Sequence, residues 1–360
     1  MVYSKVVHAV ADLVAARYVF PEVAERVSAQ LRRRHGCGAY ATADPSEFAA
    51  RLTEDLRQAS GDLHLRVRYE EQAHVPEAPG ATVREQNDRA EHCRRTGFGI
   101  ASAQRFAGNV AVLDIRELVE PELSRRAYEA ALASVADASA LVIDLRQCVG
   151  GDPDTVALVC SSLVDQRTPL SSIVPRSGPE ETFWADPALH AVSFGGQKPL
   201  FLAVADFTFS GAEMLAYDLQ AAQRAVVIGE TTGGGANPCN FHWPSPHFSL
   251  LLPEASARNP ITGGNWEGGG VVPDVRCDAG NALRVAIELA RGRVSGGASG
   301  AVNLGNSYPV SSGLELIPLQ TRHRDAGGGS RLRLGEKSAD AQFPSHRAPP
   351  AMPIVDPRPI

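Results

Sequence analysis

The chain has 360 residues, of which 44% are hydrophobic and 21% charged, and its formal net charge is -6. This length predicts about two domains of ordinary size, and the composition supports a substantial buried core. The negative charge, with basic residues dispersed along the chain, argues against a nucleic-acid-binding protein.

The six cysteines are widely spaced and contain no Cys-x-x-Cys pair. This argues against a structural zinc site and against a disulfide framework, so we expect reduced thiols, no metal and no cofactor. Asp12 and Arg17 interrupt the apolar core that a signal peptide needs, and no apolar run reaches the roughly 18 residues of a membrane span. We therefore expect a cytoplasmic protein without a membrane partner, although a trimmed leader would leave the same sequence.

The first 60 residues are predicted to be helical. Apolar residues recur at helical spacing between residues 6 and 14, and Pro21 begins a second such segment. Asp44-Pro45-Ser46-Glu47 is typical of a helix start, because the proline suits the first turn and the acids face the positive end of the helix dipole. Residues 1–69 are therefore interpreted as a small helical N-terminal domain.

Residues 70–95 are polar, contain Pro76, Pro79 and Gly80, and are predicted to form a loop or linker. Strand-like apolar runs and helical patterns then alternate through a predicted catalytic domain at 96–290. The strand-like runs are 109–115, 140–145, 199–204 and 225–229, and the helical patterns are 124–135, 155–163 and 211–222. This alternation predicts an α/β fold. From residue 291 to 360 Gly, Ser, Pro and Arg dominate, which predicts a disordered tail.

Ser210 lies between the third strand-like run and the helical pattern that begins at Gly211. A serine at a strand-to-helix turn has an exposed hydroxyl, and the first N–H groups of the helix can stabilise an oxyanion. The surrounding residues do not match the Gly-x-Ser-x-Gly elbow of α/β-hydrolases. Judged on this segment alone, Ser210 is more simply explained as a helix N-cap.

Three glycine-rich segments accompany Ser210, at residues 144–153, 229–235 and 265–274. The adjacent Gly150 and Gly151 allow the backbone to approach a substrate closely, but a turn without a catalytic role explains them equally well. A phosphate cradle is a weak interpretation of the other two segments, since neither contains the Lys and Ser/Thr of a P-loop.

In this order and spacing, the segments resemble the C-terminal processing (tail-specific) peptidases. The resemblance is closest to the branch that contains the tricorn core protease and the interphotoreceptor retinoid-binding protein repeats, and it extends to about residue 290. It rests on Gly97-Phe98-Gly99 with Gly108-Asn109-Val110, Asp144-Leu145-Arg146 with Gly150-Gly151, Thr208-Phe209-Ser210 with Ala212-Glu213, Gly229-Glu230-Thr231-Thr232-Gly233-Gly234, and Glu267 with Gly270-Val271 and Pro273-Asp274. The family implies a ClpP/crotonase-like core and hydrolysis of peptide bonds through an acyl-enzyme.

The family also implies which residues carry the chemistry. One branch uses a serine–lysine dyad, but Gly234 stands at the position of that lysine. The other branch uses an upstream histidine, and Asp62-Leu63-His64 looks like its Asp-Gly-His segment. His64 is therefore predicted to be the general base for Ser210, because a group with a pKa near 7 can take the proton of a serine hydroxyl.

Glu267 fits the family position of the carboxylate that orients the histidine, and Asp62 is a second candidate. The resemblance implies that backbone amides at Gly211, Gly150 and Gly151 hold the oxyanion. It implies a peptide or small acyl substrate and leaves the oligomeric state open. Two other functions stay open: a non-catalytic binding module for an apolar ligand, and a serine acyltransferase with the same catalytic residues.

Overall fold

The computed structural model describes residues 3–74, 83–295 and 316–317, and these form eight α-helices and thirteen β-strands. The helices are α1 Ser4–Arg17, α2 Pro21–Gly36, α3 Pro45–Ser60, α4 Val83–Arg95, α5 Pro121–Val135, α6 Pro153–Ser161, α7 Gly211–Ala221 and α8 Ala279–Ser295. The strands are β1 Arg66–Tyr69, β2 Ile100–Phe106, β3 Val110–Ile115, β4 Ala140–Asp144, β5 Thr168–Pro175, β6 Glu181–Ala185, β7 Leu200–Val204, β8 Val226–Gly229, β9 Cys239–Ser245, β10 Phe248–Pro253, β11 Ala255–Arg258, β12 Val275–Arg276 and β13 Leu316–Ile317. None of the described helices is long and apolar enough to cross a membrane.

A seven-stranded sheet forms the centre of the molecule, in the order β12-β8-β7-β4-β3-β2-β13. The five strands from β12 to β3 run parallel, whereas β2 and β13 join antiparallel at one edge. Because neighbouring parallel strands end at the same edge of the sheet, the segments that follow β3, β4, β7 and β8 converge there. The α/β fold predicted from the sequence is confirmed.

Helices cover both faces of this sheet, as parallel strands require. Alternate side chains such as Leu141 and Ile143 pack on one face with α5, α6 and α7. Their neighbours, such as Ala140 and Val142, pack on the other face against α8. The strand-like runs of the sequence are continuously apolar for this reason: both faces of each strand are buried.

The N-terminal helices form a separate core against a second, antiparallel sheet in the order β1-β10-β9. Phe248, Leu250 and Leu252 of β10 are buried among the side chains of α1, α2 and α3. A hairpin from the second half of the chain therefore completes the N-terminal core. The three predicted helices are confirmed, but residues 66–69, predicted as part of a helical domain, form a strand of this sheet. A third sheet has the order β11-β5-β6.

Two predicted boundaries are wrong. Residues 83–95 form α4 instead of a loop. The sequence gives little sign of this helix because ion pairs, rather than an apolar stripe, attach it: Arg89 contacts Glu117 at 2.9 Å and Glu120 at 2.7 Å. The predicted tail begins inside α8, which continues to Ser295, and Leu316–Ile317 pairs with β2. The other residues of the predicted tail lie outside the described part of the chain.

Candidate active site

Ser210 occupies a turn with unusual backbone geometry between β7 and α7. Its φ of 54° and ψ of -122° lie outside the extended region that an N-cap residue normally adopts. A non-glycine residue held at positive φ costs on the order of 1–3 kcal/mol, and such strain clusters at functional sites. The N-cap interpretation therefore explains the position of Ser210 at the helix start but not its conformation.

The buried carboxylate of Glu213 fixes this turn. It accepts hydrogen bonds from the Ser210 N–H at 2.9 Å, from the Thr232 hydroxyl, and from the N–H groups of Gly234 and Gly235 at 2.7 and 2.8 Å. Burial raises the pKa of Glu213 to about 7, although the four donors act in the opposite direction. Glu213 thus ties the serine turn to the glycine-rich loop that follows β8. The Ser-x-x-Glu spacing of a capping box was the sequence signal for this role.

The three glycines predicted to form the oxyanion site lie against the serine. A methyl group on Gly150 would be 2.7 Å from the Gly211 nitrogen and 2.8 Å from Ser210 Cβ, so no side chain fits there. A methyl group on Gly211 would be 3.0 Å from the Gly151 nitrogen. Within the described part of the chain, the Gly151 and Gly211 amides donate to no backbone carbonyl. Two N–H groups beside the serine are thus available to a ligand, as an oxyanion site requires, but their role stays a prediction.

His64 reaches the site from the N-terminal region, on the turn that joins α3 to β1. Its ring packs on Phe209, the residue before Ser210, with 4.6 Å between ring centroids. A methyl group on Gly235 would lie 2.6 Å from His64 Cε1, so the absence of a side chain at Gly235 makes room for the imidazole. His64 and Ser210 line the same cavity but form no hydrogen bond with each other. Looser contacts than in a reacting complex are common in unliganded sites.

Asp62 is the carboxylate nearest to the His64 ring. It is 1% exposed, and its Oδ1 lies 3.7 Å from His64 Nδ1 and accepts the His64 backbone N–H at 2.9 Å. Its Oδ2 accepts from the Tyr18 hydroxyl at 3.1 Å and from Asn237 Nδ2 at 2.9 Å. Burial acts to raise the pKa of Asp62, but His64 and Asn237 outweigh it and hold the pKa below its usual value. Asp62 is therefore an ionised group at the far side of the ring.

Glu267 belongs to the same cluster but is in a different charge state. Asp62, His64 and Glu267 have ligating atoms within 4.8 Å of one another, and among the described residues only Asp62 approaches His64 to ion-pair distance. Glu267 Oε2 accepts the Ala236 N–H at 2.6 Å, whereas Oε1 is buried without a partner in the described structure. Burial, reinforced by the charge of Asp62, raises the pKa of Glu267 to about 8. Glu267 is thus mostly protonated at neutral pH.

We expect the thermal stability of the wild-type protein to fall, relative to a Glu267→Gln variant, as the pH rises from about 5 to about 8. The folded state keeps the Glu267 proton up to a pKa of about 8, whereas the ordinary pKa of the carboxyl is 4.5. Between these values the folded state binds more protons than the unfolded chain, so stability decreases with rising pH. Unfolding midpoints across this range provide the measurement, with Glu22→Gln on exposed α2 surface as control. Parallel curves for wild type and Glu267→Gln would contradict the expectation.

The structure also explains why the dyad lysine has no place in this loop. Gly234 has a φ of 83°, and a Cβ there would lie 3.1 to 3.2 Å from backbone atoms of Gly268 and Gly270. A side chain would therefore be strained and crowded at this position. The packing of the two glycine-rich loops against each other thus disfavours a lysine at Gly234, and the basic side chain that packs on Phe209 is His64.

A cavity of about 560 Å³ opens over Ser210. Its floor is the carboxyl edge of the central sheet, with Gly150, Gly151 and Ser210, and its opposite wall is the β1-β10-β9 sheet. Apolar side chains such as Met214 and Leu251 line much of it. The sequence did not reveal this wall, because β9 and β10 showed no recognised pattern. A cleft of this size fits a short peptide segment or a small ligand.

Comparison with known protein families places this fold and cleft among the peptidases. The model of peptidase family S41 matches residues 109–277, and the model "N-terminal domain of Peptidase S41 in eukaryotic IRBP" matches residues 2–95. The two models of this family together match more than half of the chain, and the protein belongs to peptidase family S41. It is accordingly a serine-type peptidase.

Solved structures with a similar fold include two bacterial proteins. A putative peptidase from Parabacteroides merdae is 13% identical with a TM-score of 0.56, over 78% of this chain and 94% of that one. A lipoprotein from Streptococcus agalactiae is 15% identical with a TM-score of 0.52, over 81% of this chain and 97% of that one. At these identities the likeness concerns the fold alone.

Proposed function

We propose that the protein cleaves peptide bonds through an acyl-enzyme on Ser210, with His64 as the general base. The observation that carries this proposal is the strained Ser210 turn, which opens into the cavity that His64 also lines. The Gly151 and Gly211 amides beside the serine, with Gly150 closing the gap, support the assignment of the oxyanion site. The parallel order of β8, β7, β4 and β3 supports the ClpP/crotonase-like core that the family resemblance implies.

In the proposed reaction, His64 takes the hydroxyl proton as Ser210 Oγ attacks the substrate carbonyl. The carbonyl oxygen becomes an oxyanion, which backbone N–H groups stabilise because they are fixed in place before the reaction. His64 then gives the proton to the leaving amine, and an acyl-enzyme remains on Ser210. Water, deprotonated by His64, hydrolyses this ester and regenerates the serine. The nearby Asp62 carboxylate stabilises the imidazolium that forms in each step.

An active-site serine probe tests the assignment of the nucleophile. We expect a fluorophosphonate to label the wild-type protein and to lose all labelling in Ser210→Ala, because the probe reacts only with an activated serine hydroxyl. Ser249→Ala is the matched control, since Ser249 also lines the cavity but donates its hydroxyl to Glu70 at 3.0 Å. Mass spectrometry of the adduct identifies the labelled residue.

Labelling that persists in Ser210→Ala would overturn the nucleophile assignment. A wild-type protein that never labels, but binds an apolar fluorophore saturably, would instead support the binding-module alternative, which the apolar lining of the cavity makes chemically reasonable. The acyltransferase alternative shares every residue named above. Product analysis with a peptide substrate, in water and with an added amine nucleophile, separates transfer from hydrolysis.

A further inference from the structure

The wall of the cavity opposite Ser210 carries positive charge close to the general base. Successive side chains of β1 point to opposite faces of its sheet. Val67 and Tyr69 pack with the N-terminal helices, so Arg66 and Arg68 face the cavity. Across the sheet, Arg68 pairs in register with Ser249 of β10. Strand β1 therefore brings two cationic side chains into the cleft, both within four residues of His64.

Arg68 differs from Arg89, another arginine of this cleft, because no carboxylate of the described residues forms an ion pair with it. It forms no hydrogen bond or ion pair in the described structure. Burial, together with the charges of Arg66 and Arg57, lowers the pKa of Arg68 to about 10, and Glu70 offsets this only in part. The Glu70 carboxylate accepts the Ser249 hydroxyl. A half-buried guanidinium among like charges gains stability when an anion joins it.

The carboxylates of the cleft are already engaged and do not serve this purpose. Glu117 and Glu120 both contact Arg89, whose pKa they raise above its usual value. Asp152 accepts the N–H groups of residues 154 and 155 as the N-cap of α6. Within the described part of the chain, Arg89 therefore forms two ion pairs with carboxylates of the cleft, whereas Arg68 forms none.

We propose that Arg68 binds an acidic side chain of the substrate, so that the peptidase prefers peptides with Asp or Glu near the scissile bond. The proposal rests on the proposed function of Ser210. Arg68 follows His64 by four residues, and four extended residues span about 13 Å. An extended substrate covers the same distance with four residues, so the acid lies at most about four residues from the cleaved bond. Guanidinium and carboxylate groups match in geometry and can form two parallel hydrogen bonds.

Matched fluorogenic peptides test this preference. The set moves a single Glu along a neutral peptide and replaces it with Gln at each position. We expect the wild-type kcat/KM to favour Glu over Gln by about 10-fold to 100-fold at one position, the value of a charge-assisted hydrogen bond. Arg68→Gln should bring this ratio close to 1, and Arg68→Lys should restore part of it. Arg126→Gln, on the exposed surface of α5, should leave it unchanged.

The outcomes separate this proposal from the proposed function. Fluorophosphonate labelling of Ser210 in Arg68→Gln should equal that of the wild type, which also shows that the variant is folded. Equal cleavage of the Glu and Gln peptides by a labelled, active wild type would overturn the role of Arg68 and leave the nucleophile intact. A kcat/KM that falls when the peptide C terminus is amidated, but does not change on Glu→Gln, would equally overturn it. The carboxylate that the enzyme recognises would then be the terminal one. A wild type without labelling would overturn the proposed function instead.

Discussion

Ser210→Ala and His64→Gln are each expected to lower kcat/KM for peptide hydrolysis by a factor on the order of 10⁴. The two residues act as one unit in the proposed reaction: the serine is a weak nucleophile until the imidazole takes its proton, and the later proton transfers of the imidazole all act on the acyl-enzyme that the serine forms. The double variant should therefore be no slower than the slower single variant. Steady-state rates with a single peptide substrate measure all three variants, and the non-additivity is the stronger test.

Glutamine is chosen at position 64 because the His64 ring is buried against Phe209 and a smaller side chain would leave a cavity. His92→Gln is the control, since His92 lines the same cleft and lies 4.0 Å from Glu117. It should change kcat/KM less than tenfold. Losses that multiply in the Ser210/His64 double variant, or a loss below tenfold in His64→Gln, would remove His64 from the role of general base.

The elements that sequence predicts well are those whose side-chain pattern has a single explanation. The continuous apolar run at 140–145 forms β4, which is buried on both faces, and Asp44 begins α3 by accepting the Glu47 N–H at 2.7 Å. Helix α4 was missed because its attachment is ionic. Charges along a sequence do not show which distant partners they will meet, so a polar segment held by ion pairs resembles a loop.

The candidate site follows the same rule. Ser210 and His64, which the family motifs indicate, line one cavity, while their catalytic roles stay a prediction. The surroundings of Asp62 could not be predicted in the same way. Its partners Tyr18 and Asn237 are 44 and 175 residues away in the chain, and no spacing connects them to it. The charge states of Asp62 and Glu267 depend on these contacts and on burial, which only the folded chain defines.

Asp62→Asn is expected to lower kcat/KM by about 10³-fold to 10⁴-fold, because it reverses the polarity of the group that faces His64. Oδ2 accepts two donors, Tyr18 and Asn237, whereas Oδ1 accepts one, the His64 backbone N–H, so the oxygen of an asparagine would take the place of Oδ2. Its NH₂ group would then point to Nδ1 of His64 and donate to it. This favours the tautomer with the proton on the other ring nitrogen, which cannot accept a proton from the serine. Unfolding midpoints establish that the variant is folded before its rates are compared.

Glu267→Gln is the matched comparison, and here the structure favours a different assignment from the family position. Burial raises the pKa of Glu267 to about 8, so the carboxyl is mostly neutral at pH 7 and an amide of the same shape resembles that state. We expect Glu267→Gln to keep kcat/KM within tenfold of the wild type at pH 7, whereas Asp62→Asn does not. If Glu267→Gln instead shows the larger loss, the negative charge of the cluster is on Glu267 in the reacting enzyme. The two carboxylates differ in their protonation state, and this difference therefore decides which of them orients His64.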